Sequence, residues 1–296
     1  TQFMRDIASG KTKADVKTRR RGRAIVRGGM GTGRRTVGFL GALLTYAREA
    51  GIIESNPAHG IRKAADQKRT RRLSEDEYRL LGKLLAKALA DDQLLTSAKI
   101  TRLLALTGCR RGEILNLTWS EVDTSNSCLR LHDTKEGASV RPIGLPAVDM
   151  LEADRPREAV GPVFRGFLDG KPLIGYPKHW DKIFAKTPLA DVTPHVLRHS
   201  FASIANDLGF TESTVAALLG HAQGSVTSRY IHAVDTSLIM AADTVAGYIQ
   251  ALLEGAQFQR RGYALDRASR EMALSRHLGN PLPPVVSHLA EASAAD

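Results

Sequence analysis

The sequence has few cysteines, the residues that form disulfide bonds and many structural zinc sites. It contains only two cysteines, Cys109 and Cys128, among 296 residues. Two cysteines are too few for a disulfide framework or a four-cysteine zinc site, and this scarcity is typical of a reducing cytosol. No apolar run approaches the roughly 18 residues that a membrane span needs, and the N-terminus has no apolar signal segment. We therefore expect one to three globular domains with a sizeable core.

Acidic residues are scarce in the first quarter of the chain. Residues 1–72 hold 18 Lys and Arg against five Asp and Glu, so the basic excess of the whole chain, +11, lies here. This asymmetry is expected of a polyanion-binding segment, whereas the simpler alternative is a solvated basic tail. Because residues 36–53 are rich in apolar side chains, we expect the segment to fold, and nucleic acid is the favoured partner.

Residues 28–35 nearly match a phosphate-binding P-loop. Arg34 and Arg35, however, replace the Lys-Ser/Thr pair that would contact phosphate and magnesium, and no adequate strand precedes them. We therefore predict a flexible basic loop between helices over residues 11–35, without a nucleotide site. The predicted DNA contacts are Arg19, Arg20, Arg21, Arg23, Arg34 and Arg35.

Helical spacing of apolar residues dominates the chain and predicts a mainly α fold with a small antiparallel sheet, in the α+β class. Ser74 followed by three acidic residues is a typical helix start. The runs "CLRLHD" and "VRPIGL" alternate as strands do and are joined by the polar turn "TKEGAS", which predicts an antiparallel hairpin.

Three separated clusters and one turn lysine carry candidate chemistry. Singly each is weak, because an Arg beside a Glu is usually an ion pair, and a helical His or Tyr usually has a structural role. The set is Arg110, Lys135, His195, Arg198, His221 and Tyr230, with Glu113 as a supporting residue. It contains no clustered carboxylates or cysteines that would hold a metal.

A phosphodiester could use this set without a metal. Two arginine forks can hold the non-bridging oxygens and neutralise the charge of the transition state. Histidines can supply hydrogen bonds or proton transfer, and a turn lysine could protonate a leaving 5′ oxygen. A tyrosine hydroxyl, with a pKa of about 10, becomes a competent nucleophile only where nearby cations favour the phenolate.

The motifs that contain these residues resemble the tyrosine recombinase (phage integrase) family. The matching stretches are "TGCRRGEILNLTW", "TKEGASVRPIGL", "HVLRHSFAS" and "LGHAQGSVTSRYIHA", and the likeness covers roughly residues 73–250. It implies a helical core-binding domain that clamps DNA (1–66), a linker (67–72), a catalytic domain (73–250) and a C-terminal helical extension and tail (251–296). Because the chain begins at Thr1, we expect the first domain to be truncated; whether an arm-binding domain precedes it stays open.

The resemblance implies a site-specific recombinase, an integrase of a prophage or integrative mobile element. Tyr230 would attack a DNA phosphate, giving a 3′-phosphotyrosyl link and a free 5′ hydroxyl. Arg110 and Arg198 would bind that phosphate, Lys135 would act as the acid, and His195 and His221 would support proton transfer. No metal, ATP or other cofactor is implied.

The implied partner is double-stranded DNA, held as two duplexes by a homotetramer, with an accessory DNA-bending or directionality factor. The implied location is cytoplasmic and nucleoid-associated, without a membrane.

Two other functions compete with this interpretation. Residues 201–221 also have the pattern of a helix-turn-helix, which suggests a non-catalytic regulator, but that function leaves Arg110, Lys135 and Tyr230 without a role. A type IB topoisomerase would use similar tyrosine chemistry and religate the same strand. The compact spacing from His195 to Tyr230 favours recombination over relaxation.

Overall fold

A computed structural model describes residues 2–19, 22–62, 71–132, 134, 137–166, 171–220 and 236–256. The predicted residues Arg20, Arg21, Lys135, His221 and Tyr230 lie outside these ranges, as does the predicted C-terminal extension beyond residue 256. The chain divides into two compact units, residues 1–70 and residues 71–296, and the division falls within the stretch 67–72.

The first unit contains two helices with a β ribbon between them. The helices are α1 (Gln2–Ala8) and α2 (Met30–Glu49), and the strands β1 (Ala14–Lys17) and β2 (Arg23–Val26) pair antiparallel. The prediction of a flexible loop over this region was therefore wrong. Each strand has only four residues, too few for alternation to stand out from a basic, glycine-rich background.

The second unit is mostly helical. Its helices are α3 (Glu75–Leu89), α4 (Leu95–Thr107), α5 (Arg111–Leu115), α6 (Leu145–Ala153), α7 (Tyr176–Phe184), α8 (Pro194–Asp207), α9 (Glu212–Leu219) and α10 (Thr236–Leu253). The predicted start at Ser74 is confirmed: its hydroxyl accepts the Glu77 backbone N–H and the Glu77 carboxylate accepts the Ser74 N–H, a capping box.

A small antiparallel sheet lies beside these helices. Its strands are β3 (Val122–Asp123), β4 (Cys128–Leu131) and β5 (Ser139–Pro142), in the order β3-β4-β5. The β4–β5 pair confirms the predicted hairpin. Strand β3 escaped prediction because two residues show no periodicity. The described residues thus confirm a mainly α fold with small antiparallel sheets.

The core of the second unit lies where α4 is surrounded by α3, α8 and α10. Helical spacing of apolar residues predicts core positions, and all but the half-buried Leu115 are buried there, namely Leu103, Leu104, Leu106, Ile114, Leu117 and Trp119. Helix α4 in turn positions the loop that begins at Gly108.

Helix α10 packs tightly onto this core. By length and apolar composition alone it could cross a bilayer, but Val245, Ala246 and Ile249 are fully buried against the rest of the unit. Glycine permits this closeness, because a Cβ added at Gly82 would overlap the Leu253 carbonyl. These contacts are those of a core helix of a globular unit.

Candidate active site

Arg110 is the last residue of the short turn between α4 and α5. Helix α4 ends at Gly108, whose φ of 62° is left-handed, and Arg110 is the N-cap of α5. The Glu113 carboxylate accepts the Arg110 backbone N–H at 2.7 Å and its Nη1–H at 3.0 Å. Glu113 therefore fixes both the backbone and the side chain of Arg110.

Glu113 remains ionised although its side chain is only 5% exposed. Burial raises the pKa of its carboxyl, but the backbone N–H of Arg110 and the charge of Arg141 outweigh burial and leave the pKa below the ordinary value. The carboxylate is thus a fixed negative charge between two arginines.

Arg141 is a buried arginine that sequence reasoning missed. It lies in β5, is 1% exposed, and its Nη2 donates to Glu113 Oε1 at 2.9 Å while Nη1 donates to Ser139. Its guanidinium also lies against the Gly220 backbone, where any Cβ would overlap it. Arg141 therefore joins the start of α5, the strand after the lysine turn, and the end of α9.

Arg198 lies in the middle of α8 and is only 5% exposed. Its Nη1 donates to the Gly108 carbonyl at 2.8 Å and its Nη2 to the Leu219 carbonyl at 2.9 Å, so it binds the C-terminal ends of α4 and α9. Burial, and after it the nearby charge of Arg110, lower the pKa of the Arg198 guanidinium. The part of the shift that comes from Arg110 shows that the two guanidinium groups belong to one site.

His195 lies one turn before Arg198 on the same helix and is exposed. Its ring meets that of His199, which is also exposed, edge to face with centroids 4.4 Å apart. An exposed imidazole beside a buried guanidinium can donate or accept a proton toward a ligand from solvent. The neighbouring Cys109 is buried, and burial raises the pKa of its thiol, so Cys109 is a small core residue.

The structure brings Arg110, Glu113, His195 and Arg198 to the region where α4, α5, α8 and α9 meet. Lys135, His221 and Tyr230 lie outside the described residues; Gly220, directly before His221, closes α9 with a left-handed φ of 63°. Among the residues that the structure describes, no three His, Cys, Asp or Glu side chains lie close enough to bind a metal ion.

The predicted DNA contacts lie in the first unit. Arg19, Arg23 and Arg35 are exposed and Arg34 is partly buried. Arg23 forms a two-point ion pair with Asp15, with N–O distances of 2.6 and 2.5 Å.

Comparison with known proteins decides the family. Residues 71–237 match the phage integrase family, which is more than half of the chain. The chain belongs to the phage integrase family. The resemblance inferred from the four sequence motifs is thereby confirmed.

Named relatives in the integrase family agree with this membership. Tyrosine recombinase XerC of Rhizobium meliloti (strain 1021) is 31% identical over 216 residues, which is 68% of this chain and 67% of that protein. The shufflon-specific DNA recombinase of Escherichia coli is 29% identical over 205 residues, 68% of this chain and 50% of that protein. The chain spans half or less of the length of several such relatives.

The integrase fold is also found in a solved structure. A lambda integrase tetramer bound to a Holliday junction matches with a TM-score of 0.51 at 19% identity, covering 67% of this chain and 61% of that chain. At this identity the likeness concerns the fold alone.

The integrase site has one element that its motifs did not reveal, because Arg141 was assigned only to a hairpin strand. The sequence held one signal, the apolar neighbours Val140 and Pro142, and in the structure the strand partner of Arg141, Leu129, is fully buried. A charge at such a position needs a buried counter-charge, and Glu113 supplies it.

Removing Arg141 should destabilise the second unit strongly. Arg141→Met leaves the Glu113 carboxylate buried without its main counter-charge, and we expect a loss of about 3–5 kcal/mol in the free energy of unfolding by urea. Adding Glu113→Gln to that variant should restore part of the loss, because the orphaned charge is removed.

The matched control for Arg141 is Arg130→Met in the neighbouring strand. Arg130 pairs with Asp123 at 2.8 Å, but its side chain is 37% exposed, so we expect a loss of about 1 kcal/mol or less. Equal losses for the two variants would contradict a special role for Arg141.

Proposed function

We propose that this protein is a site-specific DNA recombinase that cuts and rejoins DNA through a covalent 3′-phosphotyrosyl intermediate. The observation that carries the proposal is the pairing of Arg110 and Arg198 beside exposed His195, with two like charges held together by Glu113 and by helix C-termini. Glu113 is one negative charge among three guanidinium groups, those of Arg110, Arg141 and Arg198, so the site keeps a net positive charge that a bridging DNA phosphate would offset.

The proposed reaction is two transesterifications in opposite directions. Tyr230 Oη gives its proton to His195, His221 or solvent and forms a bond to phosphorus, while the bond from phosphorus to the 5′ oxygen breaks and Lys135 gives a proton to that oxygen. A 5′ hydroxyl of the partner duplex then attacks the phosphotyrosine and releases Tyr230. One phosphodiester is replaced by another, so the balance needs neither ATP nor a metal.

Each remaining site residue has a supporting role in this scheme. Arg110 and Arg198 hold the non-bridging oxygens and stabilise the charge that develops on them. His195 and His221 donate hydrogen bonds or transfer protons, and Glu113 orients Arg110. The contacts of Glu113 with both the backbone and side chain of Arg110 support that last role.

We propose the following assembly. Residues 1–66 and 73–250 clamp duplex DNA, four protomers hold two duplexes, and C-terminal segments dock between protomers. An accessory DNA-bending or directionality factor and a cytoplasmic, nucleoid-associated location complete the proposal. The names of the relatives, a tyrosine recombinase and a DNA recombinase, support it.

A plasmid with two copies of a candidate attachment site tests the reaction class. We expect recombinant products that form equally well with EDTA and without ATP. Relaxed topoisomers without recombinants would indicate type IB topoisomerase activity instead. Binding without any broken strand would indicate a helix-turn-helix regulator.

A further inference from the structure

The β1–β2 ribbon of the first unit, residues 14–26, has no role in the chemistry described so far. All eight of its strand residues are exposed, including Val16 at 54% and Ile25 at 48%. A two-stranded ribbon that buries neither face gains little stability from its own packing. Each face therefore exposes a β-branched residue, Val16 on one and Ile25 on the other, and the ribbon has the character of an element that a partner covers.

The ribbon is held firmly at its base. Gly29 donates its backbone N–H to the Ala8 carbonyl at 3.2 Å, and a Cβ added at Gly28 would lie 2.5 Å from the Ile7 carbonyl oxygen. At the far end, Thr18 and Gly22 are joined by a backbone hydrogen bond of 3.1 Å. The ribbon is thus a defined projection with its base on α1.

The charge of the ribbon identifies the class of partner. Residues 11–27 contain eight Lys and Arg and one acidic residue, Asp15. That single acid is neutralised by its two-point pair with Arg23. The ribbon is strongly basic, and its one acidic residue is already paired with Arg23, so it is complementary to a polyanion. The proposed substrate of the protein, DNA, is a polyanion.

The two faces of the ribbon differ, as the strand register shows. The pairs Ala14↔Val26 and Val16↔Ala24 place small apolar side chains on one face. The pairs Asp15↔Ile25 and Lys17↔Arg23 place the hydrogen-bonding side chains on the other face. Only the second face carries donors that can distinguish one base pair from another.

Asp15 also fixes how Arg23 points. The carboxylate accepts from Nε and Nη2, so one edge of the guanidinium is held on the ribbon and its Nη1 edge faces away from Asp15. An arginine oriented in advance loses less entropy when it binds, and the free fork geometry matches O6 and N7 of guanine.

We propose that the ribbon enters the major groove of the target DNA and reads sequence through Lys17, Arg23 and Ile25. The width decides the groove: the major groove, about 12 Å wide, admits a two-stranded ribbon, whereas the minor groove, about 6 Å wide, does not. We assign phosphate contacts to Lys13, Arg19 and Arg27, which are exposed and flank the two strands in sequence. The inference rests on the proposed function only in taking duplex DNA as the substrate.

The test begins with a library of random-sequence duplexes, from which the parent chain selects its preferred sites. We expect Arg23→Ala to lower the preference for a selected duplex over a random one by about 10- to 100-fold. Arg19→Ala should weaken binding to both duplexes equally and reduce the salt slope by about one. Methylation of guanine N7 in the selected site should weaken the parent but leave Arg23→Ala unaffected.

The matched control is Arg48→Ala, which removes an exposed arginine from the last turn of α2 in the same unit. It changes the net charge as Arg23→Ala does and should leave sequence preference unchanged. Equal effects of the two variants, N7 methylation without effect on the parent, or a parent that selects no sequence would each overturn the proposal. Covalent adduct formation on the selected duplex separates this proposal from the proposed function. If the protein is not a recombinase, no adduct forms. If only the role of the ribbon is wrong, the adduct still forms.

Discussion

Tyr230→Phe should abolish the covalent protein–DNA adduct on a nicked suicide substrate. The substitution removes one oxygen, the proposed nucleophile, and keeps the ring, so the yield of adduct should fall at least about a thousandfold while DNA affinity stays within a factor of two or three. The adduct is measured by its slower migration in a denaturing gel, and the cleavage position is mapped on the labelled strand.

Tyr248→Phe is the matched control for the nucleophile. Tyr248 lies on α10, and its hydroxyl donates to Glu75 at 2.6 Å. Its replacement removes the same atom from the same residue type at a site remote from the proposed chemistry, and adduct yield should not change. A Tyr230→Phe chain that still forms as much adduct as the parent would reject Tyr230 as the nucleophile.

Arg110→Ala should separate catalysis from both folding and DNA binding. Its guanidinium is partly exposed, with a side chain 26% accessible, so its loss leaves the core intact. We expect strand cleavage to fall by about 10²- to 10³-fold, as when one donor to a charged transition state is removed. DNA affinity, measured by fluorescence anisotropy, should fall less than tenfold, because in the proposed complex many other Lys and Arg side chains contact the DNA phosphates.

Arg111→Ala is the control for Arg110, since it removes an exposed arginine one residue along α5. It should leave cleavage within a factor of two or three of the parent. If both alanine variants lose cleavage and binding in equal proportion, Arg110 contributes general charge rather than transition-state stabilisation.

Arg198 cannot serve as an equally clean test. Its alanine variant would leave the Gly108 and Leu219 carbonyls without their buried donor, at about 1–3 kcal/mol each, so lost activity and lost stability would appear together. Arg198→Lys keeps a positive charge at position 198. Measured beside Arg110→Ala, it helps to separate the loss of activity from the loss of stability.

The sequence predicted a mainly α fold, the start of α3, the β4–β5 hairpin and the family because these depend on local patterns. Helix α3 has its cap in the four residues around Ser74, and the integrase motifs are short and contiguous. Arg141 could not be predicted in its role, because its partners Glu113 and Gly220 lie 28 and 79 positions away and meet it only in the folded chain. The ribbon was missed because its stability does not come from a hydrophobic pattern.

The two hydrogen bonds from Arg198 to backbone carbonyls also affect how such a protein could evolve. A lineage that gave up strand cleavage and kept only DNA binding would no longer be selected to keep Tyr230 as a nucleophile, and it could also replace the partly exposed Arg110 without opening the core. Arg198 would be retained, because the ends of α4 and α9 depend on it. A surviving arginine at this position is therefore evidence of an intact fold, whereas a surviving Arg110 and Tyr230 are evidence of selection for the reaction itself.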